Sequence, residues 1–438
     1  MRGVSPHQQS LNMFSPLLTD FINMRHELVL LAQKIDWTFL EQKLSTFYSH
    51  TGQPAMPIRL MVGSLLLKRL YNLGDETLAE AWIRDPYMQY FCGELHFQHQ
   101  FPCDPSDFVH FRKRIGEEGL ALIFTHSVAL HGEEAKSDQV LSDTTVQENN
   151  TTFPTDAKLY KKVIDKCNSI AQKEGVEQRQ TYVRKSKQAL RESYNGKHPR
   201  RRKKAKRAKR QLRTWAGRQV RELRRKLSQE ALSYYEEILH TCERVIEQER
   251  MDKNKVYSLH KSFTACIAKG KAGKPYEFGN KVGILTNPKS LVVLSVDAFE
   301  GNPNDRKTIE PLLEQCEEQL NYRPKEVVYD RGGRGASHIG STKISTPKPP
   351  KKSATAYQKR KDRKKFRRRA AIEPVFGHLK KHFRMGQNYL HGKNSPKLNA
   401  MWSATGWNLK KLMEKLKKEA LTFIFYRLRS LFFYANAA

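Results

Sequence analysis

The stretch FRRRAAIEPVFGHLK, from Phe366 to Lys380, sets Arg369, Glu373 and Lys380 at intervals of four and seven residues. That is the spacing of one helix face. A carboxylate kept among so many cations is either an ion-pair partner or a ligand for a metal ion that works on phosphate. Two more acids stand where the second reading needs them. Asp143 lies in the short β-rich run QVLSDTTVQ, and Asp330 ends the apolar run KEVVYD. Functional groups gather at the carboxyl ends of strands in open α/β sheets. Two such aspartates, joined by a helix-borne glutamate, could hold two Mg²⁺ ions. Mg²⁺ takes oxygen ligands, few of them carboxylates, and completes its shell with water and substrate phosphate. Two ions so held activate a water or a DNA 3′-hydroxyl and stabilise the departing oxygen of an in-line displacement.

Each acid also has a plainer reading. An aspartate after a strand is commonly a turn former, and Glu373 alone would pair with Arg369 or Lys380. Asp138, Glu148 and Asp156 compete with Asp143, and Asp297 and Asp305 compete with Asp330. Asp156 reads as the N-cap of AKLYKKVIDKC, and Asp305 as a turn residue after Asn-Pro-Asn.

The elements that would position the acids follow in order. Residues 139–147 read as a strand carrying Asp143. Residues 275–286 and 290–299 flank Asn287-Pro288-Lys289 as a hairpin would. DRKTIEPLLEQCEEQL, from Asp305, reads as a helix, and Val327-Val328-Tyr329 as a buried strand that delivers Asp330 to the loop RGGRG. The pattern is α/β. Between the first acid and the hairpin, from about 156 to 252, runs a charged helical region. It carries fifteen Lys or Arg in the 27 residues from Arg200 to Lys226. Leu212, Trp215, Val220, Leu223 and Leu227 recur there at roughly helical spacing, which favours an ordered, DNA-facing helix over a merely solvated charge run.

Residues 1–135 read as mainly helical. A helix opened by Pro57 is expected to stop at Gly74, with Asp75 capping the next. A third helix, capped by Ser106, carries Arg112, Lys113 and Arg114. Two readings stay open here: a helix-turn-helix-like module whose three cations touch phosphate, or a plain bundle with solvated charges. A Lys/Pro-rich connector, STKISTPKPPKKSATAYQKRKDRKK, is expected to be mobile or DNA-facing. Leu421–Tyr434, interrupted by Arg427 and Arg429, reads as a closing amphipathic helix.

Composition narrows the partner. The 438 residues carry 79 Lys and Arg against 45 Asp and Glu, a formal net charge of +34. No core needs that excess, whereas nucleic acid does. An anionic membrane is the competing explanation, but no run of eighteen apolar residues is present. MRGVSPHQQS lacks the apolar core of a signal peptide. The six cysteines form no CxxC pair, which disfavours disulfides and structural zinc and points to a reducing cytoplasm.

Taken together, these blocks resemble the bacterial insertion-sequence transposases of the DDE class, within the insertion-sequence-five and insertion-sequence-four superfamily. LMVGSLLLKRLYNLGDETLAEAWIRDPYMQYFCG and DFVHFRKRIG are similar to the family's N-terminal DNA-binding region. SDTTVQ and VVYDRGGRG resemble its two aspartate motifs, GKPYEFGNKVGI and GNPND its intervening blocks, and FRRRAAIEPVFGHLK its glutamate signature. Two departures stand out. Phe366 replaces the signature's tyrosine, and Gly333-Arg334-Gly335 keeps the arginine but not the tyrosine of the second-aspartate loop.

The resemblance implies a ribonuclease-H-like mixed-sheet catalytic core over residues 136–420, with the helical insertion at about 156–252. A helical DNA-binding domain (1–135) would precede it and a C-terminal helix or tail (421–438) would follow. Asp143, Asp330 and Glu373 would be the catalytic metal ligands, holding two Mg²⁺ ions, with Mn²⁺ as a substitute. Arg369, Lys380 and Arg334 would grip DNA phosphates. The implied activity is metal-dependent endonuclease cleavage at transposon inverted repeats, followed by strand transfer into target DNA by a homodimer in a synaptic complex. The setting would be cytoplasmic and nucleoid-associated, with no membrane. The alternatives are a catalytically inactive transposase-derived DNA-binding protein, or another ribonuclease-H-like nuclease acting on branched DNA or RNA–DNA hybrids.

Overall fold

The computed structural model describes residues 15–435 except 50, 53, 197, 250, 271, 272, 336 and 350–352, and gives the backbone alone beyond residue 420. The segment MRGVSPHQQS lies outside the described residues, as do the side chains of Leu421–Tyr434. Among the described residues, no helix is long and apolar enough to cross a membrane.

The chain begins with seven helices: α1 (Leu18–Phe21), α2 (Glu27–Lys34), α3 (Trp37–Ser45), α4 (Ile58–Leu70), α5 (Asp75–Arg84), α6 (Pro86–Phe91) and α7 (Asp107–Ala129). The α4–α5 junction differs from expectation. Asn72 takes the left-handed turn (φ 57°), Gly74 is the extended N-cap, and its N–H is held by Thr77 Oγ1 at 2.8 Å. Asp75 is thereby released from capping. Its carboxylate instead receives Lys68 Nζ at 2.6 Å and both terminal nitrogens of Arg112 at 3.1 and 3.0 Å. Ser106 makes no side-chain cap, and α7 is two helical segments joined at Gly116, whose φ of 57° breaks the helix.

A mixed sheet follows, opened by β1 (Gln139–Asn149). After β1 the chain leaves the sheet for four helices: α8 (Asp156–Lys173), α9 (Val183–Glu192), α10 (Pro199–Lys226) and α11 (Gln229–Glu247). It returns as β2 (Ala265–Ala268), β3 (Tyr276–Thr286) and β4 (Val293–Phe299), then α12 (Ile309–Leu320) and β5 (Glu326–Val328). The expected hairpin is β3–β4, antiparallel from Lys281–Phe299 to Thr286–Val293. Next come β6 (His338–Ile339), β7 (Thr342–Ser345), α13 (Ala356–Arg369), α14 (Ile372–His382), β8 (Gln387–Asn388) and α15 (Ser395–Ala435). The strand order is β2-β3-β1-β5-β7-β6, with β4 also on β3 and β8 on β1. β7 and α13 take up the two ends of the Lys/Pro-rich connector.

Among the described residues, two large cores hold these parts, with a small third cluster of Leu18, Ile22 and Val29. One runs continuously from the N-terminal helices through the sheet to α14 and α15. Arg69 of α4, fully buried, links them with hydrogen bonds to Phe383 O (3.3 Å), Ser403 Oγ (3.2 Å) and Asn399 Oδ1 (3.0 Å). The other core belongs to α8–α11 with Val256 and Leu259 after them. On α10, Ala205, Ala208, Leu212, Ala216, Val220 and Leu223 form the buried stripe, a spacing of three and four residues that leaves the cations outside. All six cysteines are free thiols.

Candidate active site

β1 carries the first acid between two neighbours. It pairs antiparallel with β3 from Leu141–Thr286 to Glu148–Gly279, and parallel with β5 from Gln139–Glu326 to Leu141–Val328. β5 stops there. Two residues beyond that last pair stand Asp143, inside β1, and Asp330, just past the end of β5. Asp143 is only 18% exposed at its side chain. Burial pushes its carboxyl up to about 6, and the Asp330 charge adds to that, against the Thr144 N–H and the Arg369 guanidinium. Asp330 caps a short 3₁₀ turn, Arg331–Gly333, its Oδ1 accepting from Gly332 N at 2.7 Å.

The third acid arrives on a helix that packs against β1. The FRRRAAIEPVFGHLK stretch is not one helix: α13 ends at Arg369, the chain turns at Ala370-Ala371, and α14 begins at Ile372. The reason lies in burial. α13 buries no residue, whereas α14 buries Ile372, Val375, Phe376 and Leu379, so α14 is aligned by the core while α13 follows solvent. Arg369 stands at the break. Its Nη1 donates to Asp143 Oδ2 at 2.9 Å and its Nη2 to Glu373 Oε1 at 3.2 Å. One guanidinium thus joins the buried aspartate to the mostly exposed glutamate. Phe366 packs partly against the core, with Lys365 Nζ 5.8 Å from its ring centre.

The loop after Asp330 is glycine-rich for steric reasons. A Cβ on Gly333 would meet the Tyr329 ring at 2.7 Å. On Gly332 it would meet Asp305 Oδ2 at 2.5 Å and Asp330 Oδ1 at 2.9 Å. Asp305, set aside in the sequence as a turn residue, therefore stands beside this loop. It accepts from Thr144 Oγ1 and Lys281 Nζ, each at 2.9 Å. Nothing in the local sequence signals these contacts, since the Asn-Pro-Asn turn accounts for an aspartate by itself.

The donor set fits a divalent cation at the two aspartates. Both are oxygen donors, and a carboxylate whose charge is disfavoured by burial and by a neighbouring acid is relieved by a bound cation. Glu373 is instead held by Arg369. Among the described residues, no three His, Cys, Asp or Glu side chains converge on one point.

The cations expected at DNA are spread over the molecule. Arg112 is spent on Asp75. Arg114 lies over the Tyr48 ring, 4.6 Å from its centre. Lys113 is exposed and lines a groove with Arg384, Tyr389 and His391. Arg334 is exposed and donates to Pro347 O at 3.0 Å. Lys380 is half-buried, on the same helix as Glu373 and about two turns further along. Arg112 and Lys113 should therefore differ. Lys113→Ala should reduce the salt slope of duplex binding by about one contact without changing the melting temperature. Arg112→Ala should lower the melting temperature and leave the slope alone, because it strands a half-buried carboxylate with Lys68 alone. Titrating duplex affinity against salt for the two variants, with melting curves alongside, checks this.

Comparison with known proteins bears on the same segments. Residues 16–114 match the family described as a transposase domain (DUF772), and residues 253–409 match the family described as a transposase DDE domain. An uncharacterized protein of Rhizobium meliloti, ORF8 in the nfe locus, is 40% identical over 194 residues, covering 43% of this chain and 94% of the relative. No solved structure matches the chain. The second match begins after the α8–α11 excursion, so Asp143 lies outside it and is joined to the matched segment through β1.

Proposed function

The chain belongs to the DDE transposases of insertion sequences, and we propose that it cuts DNA at transposon inverted-repeat ends and joins the freed ends to target DNA. The observation that carries this reading is Asp143 on β1 with Asp330 just past the paired strand β5, the Glu373 helix packed on β1, and Arg369 joining Asp143 to Glu373. Five strands in the order β4-β3-β1-β5-β7, antiparallel on one side of β1 and parallel on the other, support assigning the core to the ribonuclease-H-like class.

In the cut, a water oxygen bonds to phosphorus at the element's end while the bond from phosphorus to the 3′-oxygen breaks, and that oxygen leaves with a proton. In the joining step the freed 3′-hydroxyl loses its proton, bonds to a target phosphorus and displaces the target strand's own 3′-oxygen. Mg²⁺ ions held by Asp143, Asp330 and Glu373, with Mn²⁺ as a substitute, would supply a more acidic water and charge on the departing oxygen. The protein positions the acids, and positive charge holds the phosphates. Arg369 is placed to pass from carboxylates to phosphate when DNA enters. Lys380 and Arg334 flank the same region in sequence and are assigned to the transposon end. A homodimer would bring two ends together.

The α10 surface fits the duplex backbone. Arg200, Arg201, Arg202, Lys203, Lys206 and Arg207 are exposed, while Lys204 and Lys209 are engaged by Glu192 and Asp156. Replacing Arg201, Arg202 and Lys206 together by glutamine should lower the salt slope by roughly two to three units, at about 0.9 per phosphate contact. A fluorescence titration at several salt concentrations reads it. The reading itself is tested by strand transfer. A pre-cut end with a free 3′-hydroxyl, incubated with plasmid and Mg²⁺ or Mn²⁺, should yield a joined product. Tight end binding without joining under either ion would overturn the enzymatic assignment in favour of a DNA-binding role.

A further inference from the structure

We propose that Asp305 is a fourth functional carboxylate, a positioning residue that ties the Asp143 strand to the Asp330 loop; this rests on the active-site reading above. One residue, Thr144, touches both Asp143 and Asp305. Its N–H donates to Asp143 Oδ1 at 2.8 Å, and its Oγ1 donates to Asp305 Oδ1 at 2.9 Å. Gly332 does the corresponding work on the other side. Its N–H holds Asp330 Oδ1 at 2.7 Å, and its missing side chain leaves room for Asp305 Oδ2. Asp305 therefore reaches both aspartate-bearing segments, which lie far apart in sequence.

The charge on Asp305 is balanced from a third element. Lys281 of β3, 12% exposed at its side chain, donates to Asp305 Oδ1 at 2.9 Å and to Pro303 O at 2.6 Å. This pins the turn before α12 against the sheet. Burial raises the pKa of the Tyr329 hydroxyl, and the charges of Asp305 and Asp143 add to that, so both carboxylates act on this one buried group. A carboxylate tied this way fixes how the Asp143 and Asp330 oxygens face each other, as outer groups around a cation generally do.

The test uses the full-length protein without DNA and Mn²⁺ as the probe, with affinity read by titration calorimetry and folding by thermal melting. Wild type is expected to bind Mn²⁺, and Asp330→Ala to lose that binding. Asp305→Asn keeps the shape and the acceptor for Thr144 but removes the charge. It is expected to weaken Mn²⁺ binding by about tenfold or more with end cleavage falling in step. The double variant Asp305→Asn/Lys281→Met removes both charges, and it carries the test if the single variant leaves Lys281 stranded and melts early. Weakened Mn²⁺ binding in a variant that melts like wild type supports the proposal. A folded variant that binds Mn²⁺ and cleaves like wild type overturns it while leaving the active-site reading intact. Absence of Asp330-dependent Mn²⁺ binding in wild type would instead bring down that reading, and this proposal with it.

Discussion

Replacing Asp330 by alanine should reduce end cleavage roughly 10³-fold or more, as loss of a central catalytic group does, while duplex affinity stays near that of wild type. The separation follows from the contacts. The Asp330 side chain accepts from Gly332 N, a hydrogen bond worth about 1 kcal/mol, while its backbone bond from Gly333 N survives the substitution. Its charge also raises the cost of ionising Asp143, so its removal relieves a repulsion. Many of the exposed cations that would meet phosphate lie elsewhere, on α10 and at Lys113, and Arg334 keeps its charge in this variant. Asp330→Asn sharpens the experiment, since the amide oxygen can still accept from Gly332 while the charge is gone. It should cleave as poorly as the alanine variant. A labelled-strand cleavage assay, with gel shift and melting on the same preparations, measures all three quantities. Near-normal cutting by either variant would remove Asp330 from the site.

The second large effect is structural and sits on β3, the strand paired with that of the first acid. Gly279 opposes Glu148 in the β1–β3 ladder and Ala265 in the β2–β3 ladder. A Cβ there would stand 1.9 Å from Gln147 O and 2.7 Å from the Glu148 Cα. These are backbone atoms, which cannot swing aside as the end of a side chain can. Overpacking of a core usually costs about 1–3 kcal/mol, and a backbone clash in a central ladder belongs at or above the top of that range. Gly279→Ala should therefore melt well below wild type, and amides of β1 and β3 should exchange faster than those of α8–α11, which have their own core. An alanine variant that melts and exchanges like wild type would show that the ladder is looser than described. The glycine of GKPYEFGNKVGI thus has a packing explanation independent of chemistry.

Strands and hairpin were legible because each announces itself locally. QVLSDTTVQ and KEVVYD are short β-rich runs ended by polar residues, and Asn287-Pro288-Lys289 can only be a connection. What was not legible depends on distant partners or on burial. The Ala370-Ala371 turn is invisible to periodicity, since alanine favours helix and the cationic pattern runs on unbroken. It arises because only α14 has a core to join. Asn72, rather than Gly74, ends α4, and Asp75 is drawn from capping by Lys68 and Arg112, the latter 37 residues away. Asp305 was hidden most effectively. Its turn explains it locally, and its partner Thr144 lies 161 residues earlier. The α8–α11 excursion accounts for that separation, placing a whole second core between the first acid and the rest of the site.

The most direct measurement is cleavage of a labelled duplex carrying the inverted-repeat ends that flank this reading frame. It should be run with Mg²⁺, with EDTA, and with the Asp330→Ala protein beside wild type. Cutting at the end boundary that requires both the cation and Asp330 is the expected result. Binding to those ends without cutting, or cutting that survives EDTA or the loss of Asp330, would contradict the placement of the active site at Asp143, Asp330 and Glu373.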